Sequence, residues 1–283
     1  MFPNIQLSGF ADEIDKSFDR QMEVIPALGM EYIEVRGVDA KNVADLNDEE
    51  VAEVKAKLDA AGVKISSIGS PIGKIDITDD FDVHMEKFRR VAATAKALGT
   101  RYIRMFSFFM PKDADPADYR DEVLRRLKIM IAEAEKMDLV LLHENEKEIY
   151  GDTAIRCADL MKELYSDHFK AVFDFANFIQ CGVDPAEAYD LMRPYVEYIH
   201  IKDALKADGS VVPPGMGDGH LAELLGKFKA SGYEGFLSLE PHLTNFTGLA
   251  GLEKEVQERH TALTGEEAFK LAHDSLVGIL ETL

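Results

Sequence analysis

The sequence contains only two cysteines, Cys157 and Cys181. Two thiols are too few for a disulfide framework, so a reducing cytoplasm is the expected compartment. No apolar run approaches the ~18 residues that a membrane helix requires. The first residues, MFPNIQLSGF, also lack the basic and then apolar segments of a signal peptide. We therefore expect a cytoplasmic chain that neither crosses nor binds a membrane.

Basic residues are scarce relative to acidic ones. The 283 residues include 32 lysines and arginines against 52 aspartates and glutamates, a formal net charge of −20. A surface of that sign repels nucleic acid and anionic lipid, so neither is an expected partner. At 46% hydrophobic residues, the chain can bury a large core. Because no Pro-, Gly- or Ser-rich linker divides it, we predict one domain over residues 1–283.

One local pattern recurs along the chain. An amphipathic helical stretch ends at a glycine and is followed within a few residues by a short apolar strand, at Gly29, Gly62, Gly99 and Gly232. Glycine suits the left-handed conformation that closes a helix. Other helices have marked starts, since Asp184 precedes a proline and Thr264 precedes Glu267 at capping-box spacing.

These anchors define eight strand candidates with a helical pattern between successive pairs. The strands are predicted over residues 5–11, 32–37, 64–70, 102–108, 139–145, 171–176, 198–203 and 235–241, and a last helix over residues 266–283. Eight alternating strands and helices predict an α/β fold, a (β/α)8 TIM barrel. A doubly wound open sheet is the competing architecture. The first strand runs into GFADEI, which is not the Gly-rich dinucleotide turn of that sheet.

Ionisable residues fall at the ends of the last four predicted strands. The strands read VLLHENE, AVFDFAN, YIHIKD and FLSLEPH, and they carry the residues Glu144, Asp174, His200 and Glu240. Barrel active sites lie at the C-terminal strand ends, and alternation along a strand turns these side chains inward. Three carboxylates and an imidazole that converge there would repel one another without a cation. This oxygen-rich set suits one divalent ion, Mg²⁺ or Mn²⁺, with Co²⁺ or Zn²⁺ as alternatives.

The motifs around these residues resemble the xylose isomerase-like barrel superfamily, in particular its sugar phosphate isomerases and epimerases. They are HENE, FDFAN, HIKD, PPGMGDGHL and LSLEPH, and the likeness is most specific over residues 144–242. The resemblance implies that Glu144, Asp174, His200 and Glu240 bind one divalent metal. It also implies that Glu144 and Glu240 move protons on opposite faces of a sugar. The family often has histidine at the position of Glu146, and histidine or asparagine at Asn177.

Such a site supports isomerisation or epimerisation of a sugar, sugar phosphate or keto acid through an enediolate, with Glu144 and Glu240 as the acid/base pair. Lys202 follows His200 on the same face and is a candidate to hold a substrate oxygen or to pair with the carboxylates. Arg36 and Arg104 either bind a substrate phosphate or carboxylate, or form salt bridges, for instance with Glu13 or Glu34. Asn177 and His242, which lie in the family motifs, are further candidate substrate contacts. The glycines of GMGDG either cradle a phosphate or only form tight turns.

Other functions compete with the isomerase. An inosose dehydratase-like lyase would use the same metal site. A non-catalytic sugar-binding barrel would have no need of two flanking glutamates. The abasic-site endonuclease of the superfamily uses several further histidines, which SIGS and RMFS at the ends of strands three and four lack.

The segment over residues 244–263 is longer than the usual loops of such units. Its early apolar residues, Phe246 and Leu249, predict a cover over the barrel mouth or a contact with a second subunit. We expect a homo-oligomer that acts on a small-molecule sugar.

Overall fold

The computed structural model describes residues 4–245 and 262–283. Its main sheet has eight parallel strands: β1 Ile5–Gly9, β2 Tyr32–Val35, β3 Lys64–Gly69, β4 Tyr102–Met105, β5 Val140–Glu144, β6 Phe169–Asp174, β7 Val196–Ile201 and β8 Gly235–Leu239. They pair in the order β1-β8-β7-β6-β5-β4-β3-β2. Since β1 and β2 also lie side by side, the sheet forms a nearly closed barrel. The predicted (β/α)8 barrel is confirmed.

Helices occupy the connections between the strands. Among the described residues they are α1 Phe18–Ala27, α2 Asp48–Ala61, α3 Phe81–Leu98, α4 Arg120–Lys136, α5 Ala154–Leu164, α6 Phe175–Gln180, α7 Pro185–Met192, α8 Leu221–Ala230 and α9 Gly265–Thr282. The predicted caps are present. Gly62 and Gly99 close α2 and α3 in the left-handed conformation. Asp184 caps α7, and Thr264 forms a capping box with Glu267. None of these helices is long and apolar enough to cross a membrane.

Some predicted strands are too long at their C-terminal ends. The strand predicted over residues 102–108 ends at Met105, and the one predicted over 171–176 ends at Asp174. In the second case the side chain of Asp174 accepts a hydrogen bond from the backbone N–H of Asn177 at 2.7 Å, which starts α6 at once. A helix N-cap therefore ends the strand, and it fixes the Asp174 carboxylate at the barrel mouth.

The outer core lies between the barrel and its helices. Each of seven strands contributes a fully buried side chain to it, namely Ile33, Ile68, Ile103, Leu141, Phe173, Ile199 and Leu237. Burial of such a side chain contributes about 1.5–3 kcal/mol. Inside the barrel, Val140, Leu142, Val172 and Tyr198 form a separate apolar layer. Polar residues lie directly above that layer, because Tyr198 and His200 point to the same side of β7.

The predicted cover at Phe246 and Leu249 lies outside the described residues.

Candidate metal centre

Strand register aligns the predicted ligands. His200 of β7 pairs with Asp174 of β6 on one side and with Ser238 of β8 on the other. Glu144 is the last residue of β5, and Glu240 follows the last residue of β8. One ligand atom from each of Glu144, Asp174, His200 and Glu240 lies within 4.8 Å of the others, and all four side chains are buried. The structure thus brings together the four residues that the sequence proposed.

The imidazole of His200 turns one nitrogen towards the carboxylates. Its Nδ1 lies 3.0 Å from Oε1 of Glu144, 3.7 Å from Oε2 of Glu240 and 4.0 Å from Oδ2 of Asp174. Its Nε2 lies 3.0 Å from Oε2 of Glu34, which also accepts a hydrogen bond from the Ser238 hydroxyl at 2.8 Å. From the sequence, Glu34 is expected only as a candidate salt-bridge partner of Arg36 or Arg104. The signal that could have found this contact was the alternation of Glu34 with Arg36 at the end of the second predicted strand, residues 32–37.

Hydrogen bonds hold Asp174 from three sides. The side-chain amide of Asn145 donates to the Asp174 carbonyl at 3.0 Å, and the Asp174 N–H donates back to Oδ1 of Asn145 at 3.0 Å. Oδ1 of Asp174 accepts the capping bond from Asn177. Oδ2 makes no hydrogen bond within residues 4–245 and 262–283, although the Lys202 ammonium lies 3.1 Å away. This oxygen is therefore oriented into the cluster and remains able to bind a cation.

The carboxyl groups crowd one another in a buried space. Burial raises the pKa of Asp174 to about 7, because the nearby Lys202 offsets only part of the desolvation and the charges of Glu240 and Glu144 add to it. Burial also acts to raise the pKa of Glu144, but His200 and Arg104 outweigh it and lower that pKa to about 2. Asp174 thus ionises only near neutral pH, while its neighbours Glu144 and Glu240 are already ionised. This difference indicates that the cluster contains too little positive charge to balance all three carboxylates. The donor set and its charge therefore fit a divalent cation.

Lys202 supplies part of the positive charge. Its Nζ lies 2.8 Å from Oε2 of Glu240 and 3.1 Å from Oδ2 of Asp174. Burial works against the ammonium, but Asp174 and Glu240 outweigh it and raise the pKa of Lys202 well above its usual value. The predicted pairing of Lys202 with the carboxylates is present.

Arg104 and Asn177 hold Glu144. Arg104 donates from Nη1 to Oε2 of Glu144 at 2.8 Å, and the Asn177 side chain donates to Oε1 at 3.2 Å. Both donors line a polar pocket above the four proposed ligands. Among residues 4–245 and 262–283, the lining consists of Lys74, Arg104, Glu146, Asn177, Gln180, Lys202, Glu240 and His242. Lys74, which lies outside the motifs of the sequence, forms an ion pair with Glu146 at 2.9 Å.

Arg36 has a different environment. Its Nε and Nη2 bind the two oxygens of Asp12 at 2.9 and 3.0 Å, and Nη2 also contacts Glu13 at 3.0 Å. Its Nη1 donates to Oε1 of Glu240 at 3.3 Å. The salt bridge to Glu13 that the sequence left open is thus formed. With each of these nitrogens on a carboxylate, Arg36 supports Glu240 and has no nitrogen left over for a phosphate.

His242 joins the same group from the other side. Its backbone N–H donates to Oε2 of Glu13 at 2.6 Å, and its Nε2 lies 3.3 Å from Oε1 of Glu240. Burial lowers the pKa of the imidazole to about 3 despite the opposing charge of Glu240. A neutral imidazole therefore lines the pocket beside a proposed ligand.

The glycine loop after β7 surrounds a carboxylate of the protein itself. Asp203 accepts hydrogen bonds from the N–H groups of Gly215 and Gly217 at 2.9 Å and of Gly219 at 3.0 Å. A Cβ on Gly217 would lie 2.4 Å from Oδ1 of Asp203, so glycine is required by the close approach. These amides are engaged by Asp203, which favours the tight-turn interpretation over a phosphate cradle.

The fold and the site together define a (β/α)8 barrel with a carboxylate–histidine cluster at its C-terminal mouth. The chain belongs to the xylose isomerase-like TIM barrel family, whose model matches residues 22–263. The resemblance inferred from the motifs is confirmed.

Relatives and solved structures show how the family varies. The chain is 23% identical to a 3-dehydroshikimate dehydratase of Bacillus anthracis over 72% of this chain and 69% of the relative. It is 28% identical to a 2-epi-5-epi-valiolone 7-phosphate 2-epimerase of Actinoplanes sp. over 63% of this chain and 65% of the relative, just under two thirds of that protein. The crystal structure of an IOLI protein with a bound zinc atom superposes with a TM-score of 0.79 at 16% identity, covering 98% of each chain. This structural similarity is evidence for the shared barrel fold.

Proposed function

We propose that the protein is a divalent-metal-dependent enzyme that isomerises or epimerises a sugar or a related hydroxy-carbonyl compound. The observation that carries this proposal is the convergence of Glu144, Asp174, His200 and Glu240 within 4.8 Å, beneath a pocket of polar side chains. These four residues would hold the metal. The epimerase relative and the solved structure with zinc support the proposal.

A bound divalent cation would supply Lewis acidity, which polarises a substrate carbonyl and makes the neighbouring C–H group more acidic. The chain's own residues would move the proton. Glu144 ends β5 and Glu240 directly follows β8, with β6 and β7 between these strands, so the two side chains approach the pocket from different directions. Lys202 lowers the pKa of Glu240 well below its usual value against the effect of burial, and Glu144 has a pKa of about 2. Both are therefore ionised at neutral pH and able to accept a proton.

The outcome depends on where the proton returns. One glutamate takes it from the carbon next to the carbonyl, which leaves an enediolate. Delivery to the opposite face of the same carbon gives an epimer, whereas delivery to the former carbonyl carbon gives an isomer. The Lys202 ammonium, 2.8 Å from Glu240, would balance the negative charge that develops on the substrate.

A dehydratase is the second candidate, and the 3-dehydroshikimate dehydratase relative favours it. The same proton abstraction would be followed by loss of a β-hydroxyl group, which leaves as water after it accepts a proton. The protonated Lys202 lies beside Glu240 and could provide that proton. The candidates share the metal site and the base, and they differ only in the fate of the enediolate.

Solvent deuterium exchange tests the proposal. The metal-loaded protein is incubated in deuterated water with a panel of ketoses, keto acids and inososes, and products are analysed by NMR and mass spectrometry. An isomerase or epimerase should place deuterium next to the carbonyl, and the Glu144→Gln and Glu240→Gln variants should lose this exchange. A product lighter by one water identifies the dehydratase. Metal and sugar binding without any exchange or product would identify a non-catalytic barrel and contradict the proposal.

A further inference from the structure

One edge of the Arg104 guanidinium is unpaired in the part of the chain that the structure describes. Nη1 binds Glu144, but Nε and Nη2 make no hydrogen bond with any residue in 4–245 or 262–283. The side chain is only 2% exposed, so water does not readily satisfy these donors. A buried donor without an acceptor is destabilising, and native structures rarely retain one that has no role.

The guanidinium is also held in a defined orientation. Its central carbon lies 4.6 Å from the ring centroid of Phe106 and 5.3 Å from that of Phe10. The bond from Nη1 to Glu144 fixes the remaining rotation. The free edge is therefore preorganised, because a ligand that binds it need not order the side chain first.

In two other arginines of this protein, the Nε and Nη2 edge of the guanidinium binds a carboxylate. Nε and Nη2 of Arg36 contact both oxygens of Asp12, at 2.9 and 3.0 Å. Arg120 binds Asp159 in the same way, with both distances 2.7 Å. Two parallel N–H groups match the spacing of two carboxylate oxygens, which makes the pair strong and directional.

We propose that the substrate carries a carboxylate group that binds side-on to Nε and Nη2 of Arg104. This inference rests on the proposed function, since it concerns the substrate of the same site. Arg104 lines the pocket with Asn177 and Lys202 and contacts Glu144. The bound carboxylate would therefore lie close to the reacting carbon, and the substrate would be a compact hydroxy or keto acid.

Charge separates a carboxylate from a phosphate ester. The mouth already holds the buried carboxyl groups Asp12, Glu13, Glu34, Glu144, Asp174 and Glu240. The buried Arg36 and Lys202 are already paired with members of this group. A divalent cation on the four proposed ligands would offset only part of this surplus of negative charge. A phosphate dianion would add two further negative charges, whereas a carboxylate adds one and binds the Nε and Nη2 edge of Arg104 that is already oriented. The monoanion is therefore the better match.

The Arg104→Lys variant tests the inference, because lysine keeps the positive charge beside Glu144 but lacks the two-pronged edge. The metal-loaded wild type and variant are titrated calorimetrically with sugar acids and keto acids, the matching neutral sugars and the matching sugar phosphates. Wild type should bind a member of the acid series most tightly, and the variant should bind that acid about 10- to 100-fold more weakly, with less change for its neutral counterpart. Arg101→Lys, at an exposed arginine in the same segment, is the matched control and should leave all affinities unchanged.

Tightest binding of a neutral sugar or a phosphate, or equal affinity of wild type and Arg104→Lys for the acids, would overturn the inference. This result is distinct from failure of the proposed function. Acid binding that depends on Arg104 without deuterium exchange would leave the inference standing and refute the isomerase. Deuterium exchange on neutral sugars that does not depend on Arg104 would support the proposed isomerase and refute the inference that the substrate carries a carboxylate.

Discussion

The Nε2 nitrogen of His200 lies 3.0 Å from Oε2 of Glu34, on the side of the imidazole opposite the three carboxylates. A hydrogen on Nε2 would be donated to Glu34, which leaves the lone pair of Nδ1 directed at Glu144, Asp174 and Glu240. A carboxylate behind a metal-binding histidine commonly fixes the tautomer and the ring orientation in this way. Ser238 in turn fixes Glu34 by its own hydrogen bond.

Glu34 should therefore control metal affinity without contacting the metal. The Glu34→Ala variant is expected to bind Mn²⁺ or Zn²⁺ about 10- to 100-fold more weakly in a chelator competition titration of the metal-free protein. Glu34→Gln keeps an oxygen that can accept from Nε2, so its affinity should lie between that of wild type and Ala. The exposed Glu31→Gln on the same segment serves as control. Wild-type affinity in Glu34→Ala would refute this role.

The four proposed ligands should be required for stoichiometric metal. After dialysis, elemental analysis of wild type should show about one divalent ion per chain, while His200→Ala and Glu240→Gln should retain little, because each loses a donor atom. Thermal melting of the metal-free proteins checks that the variants are folded. If both variants keep the full complement of metal, the assignment of the site is wrong.

The Asp203→Asn variant should destabilise the loop after β7. An amide NH₂ in place of one carboxylate oxygen would face N–H donors of the loop and leave them without an acceptor. We expect a loss of about 2–4 kcal/mol in the free energy of unfolding, measured with urea. Asp167→Asn, an exposed substitution, should change it by less than about 0.5 kcal/mol. An equal effect of the two substitutions would contradict the structural role of Asp203.

His84 should make stability fall in mild acid. Burial lowers the pKa of this imidazole to about 4 from 6.5, and its Nε2 accepts a hydrogen bond from the Gly73 N–H at 2.9 Å. Between these two pKa values His84 is protonated in the unfolded chain but neutral in the folded protein. The free energy of unfolding therefore decreases as pH falls from about 6.5 towards 4. From pH 7 to 4.5 this group should account for roughly 2 kcal/mol.

Urea midpoints of wild type and His84→Asn across that pH range isolate the contribution of His84, because asparagine keeps an acceptor but does not titrate. The variant should show the shallower decline. His220→Asn, at a half-exposed histidine, is the matched control and should follow the wild-type curve. Parallel curves for His84→Asn and wild type would show that His84 does not cause the acid sensitivity.

Local signals in the sequence predicted the architecture well. The glycine and capping residues predicted helix ends such as Gly62 and Gly99, because these conformations depend on a few neighbouring residues. Strand ends were less accurate where a side chain started a new element. Asp174 ends β6 by capping α6, and a short mixed stretch such as FDFAN does not distinguish the end of a strand from the start of a buried helix.

The sequence by itself determined the barrel and the four residues that meet at its mouth, because the order of parallel strands and the alternation of side chains follow from periodicity. It did not determine which charges pair. Glu34 and His200 are 166 positions apart, and their contact depends on how opposite walls of the barrel approach each other. Arg36 and Arg104 looked equivalent in sequence. Arg36 is bound by carboxylates on two sides, whereas one edge of Arg104 has no hydrogen-bond partner among the described residues. Only the tertiary structure separates these roles, since ion pairing depends on distances of a few ångströms that the fold alone sets.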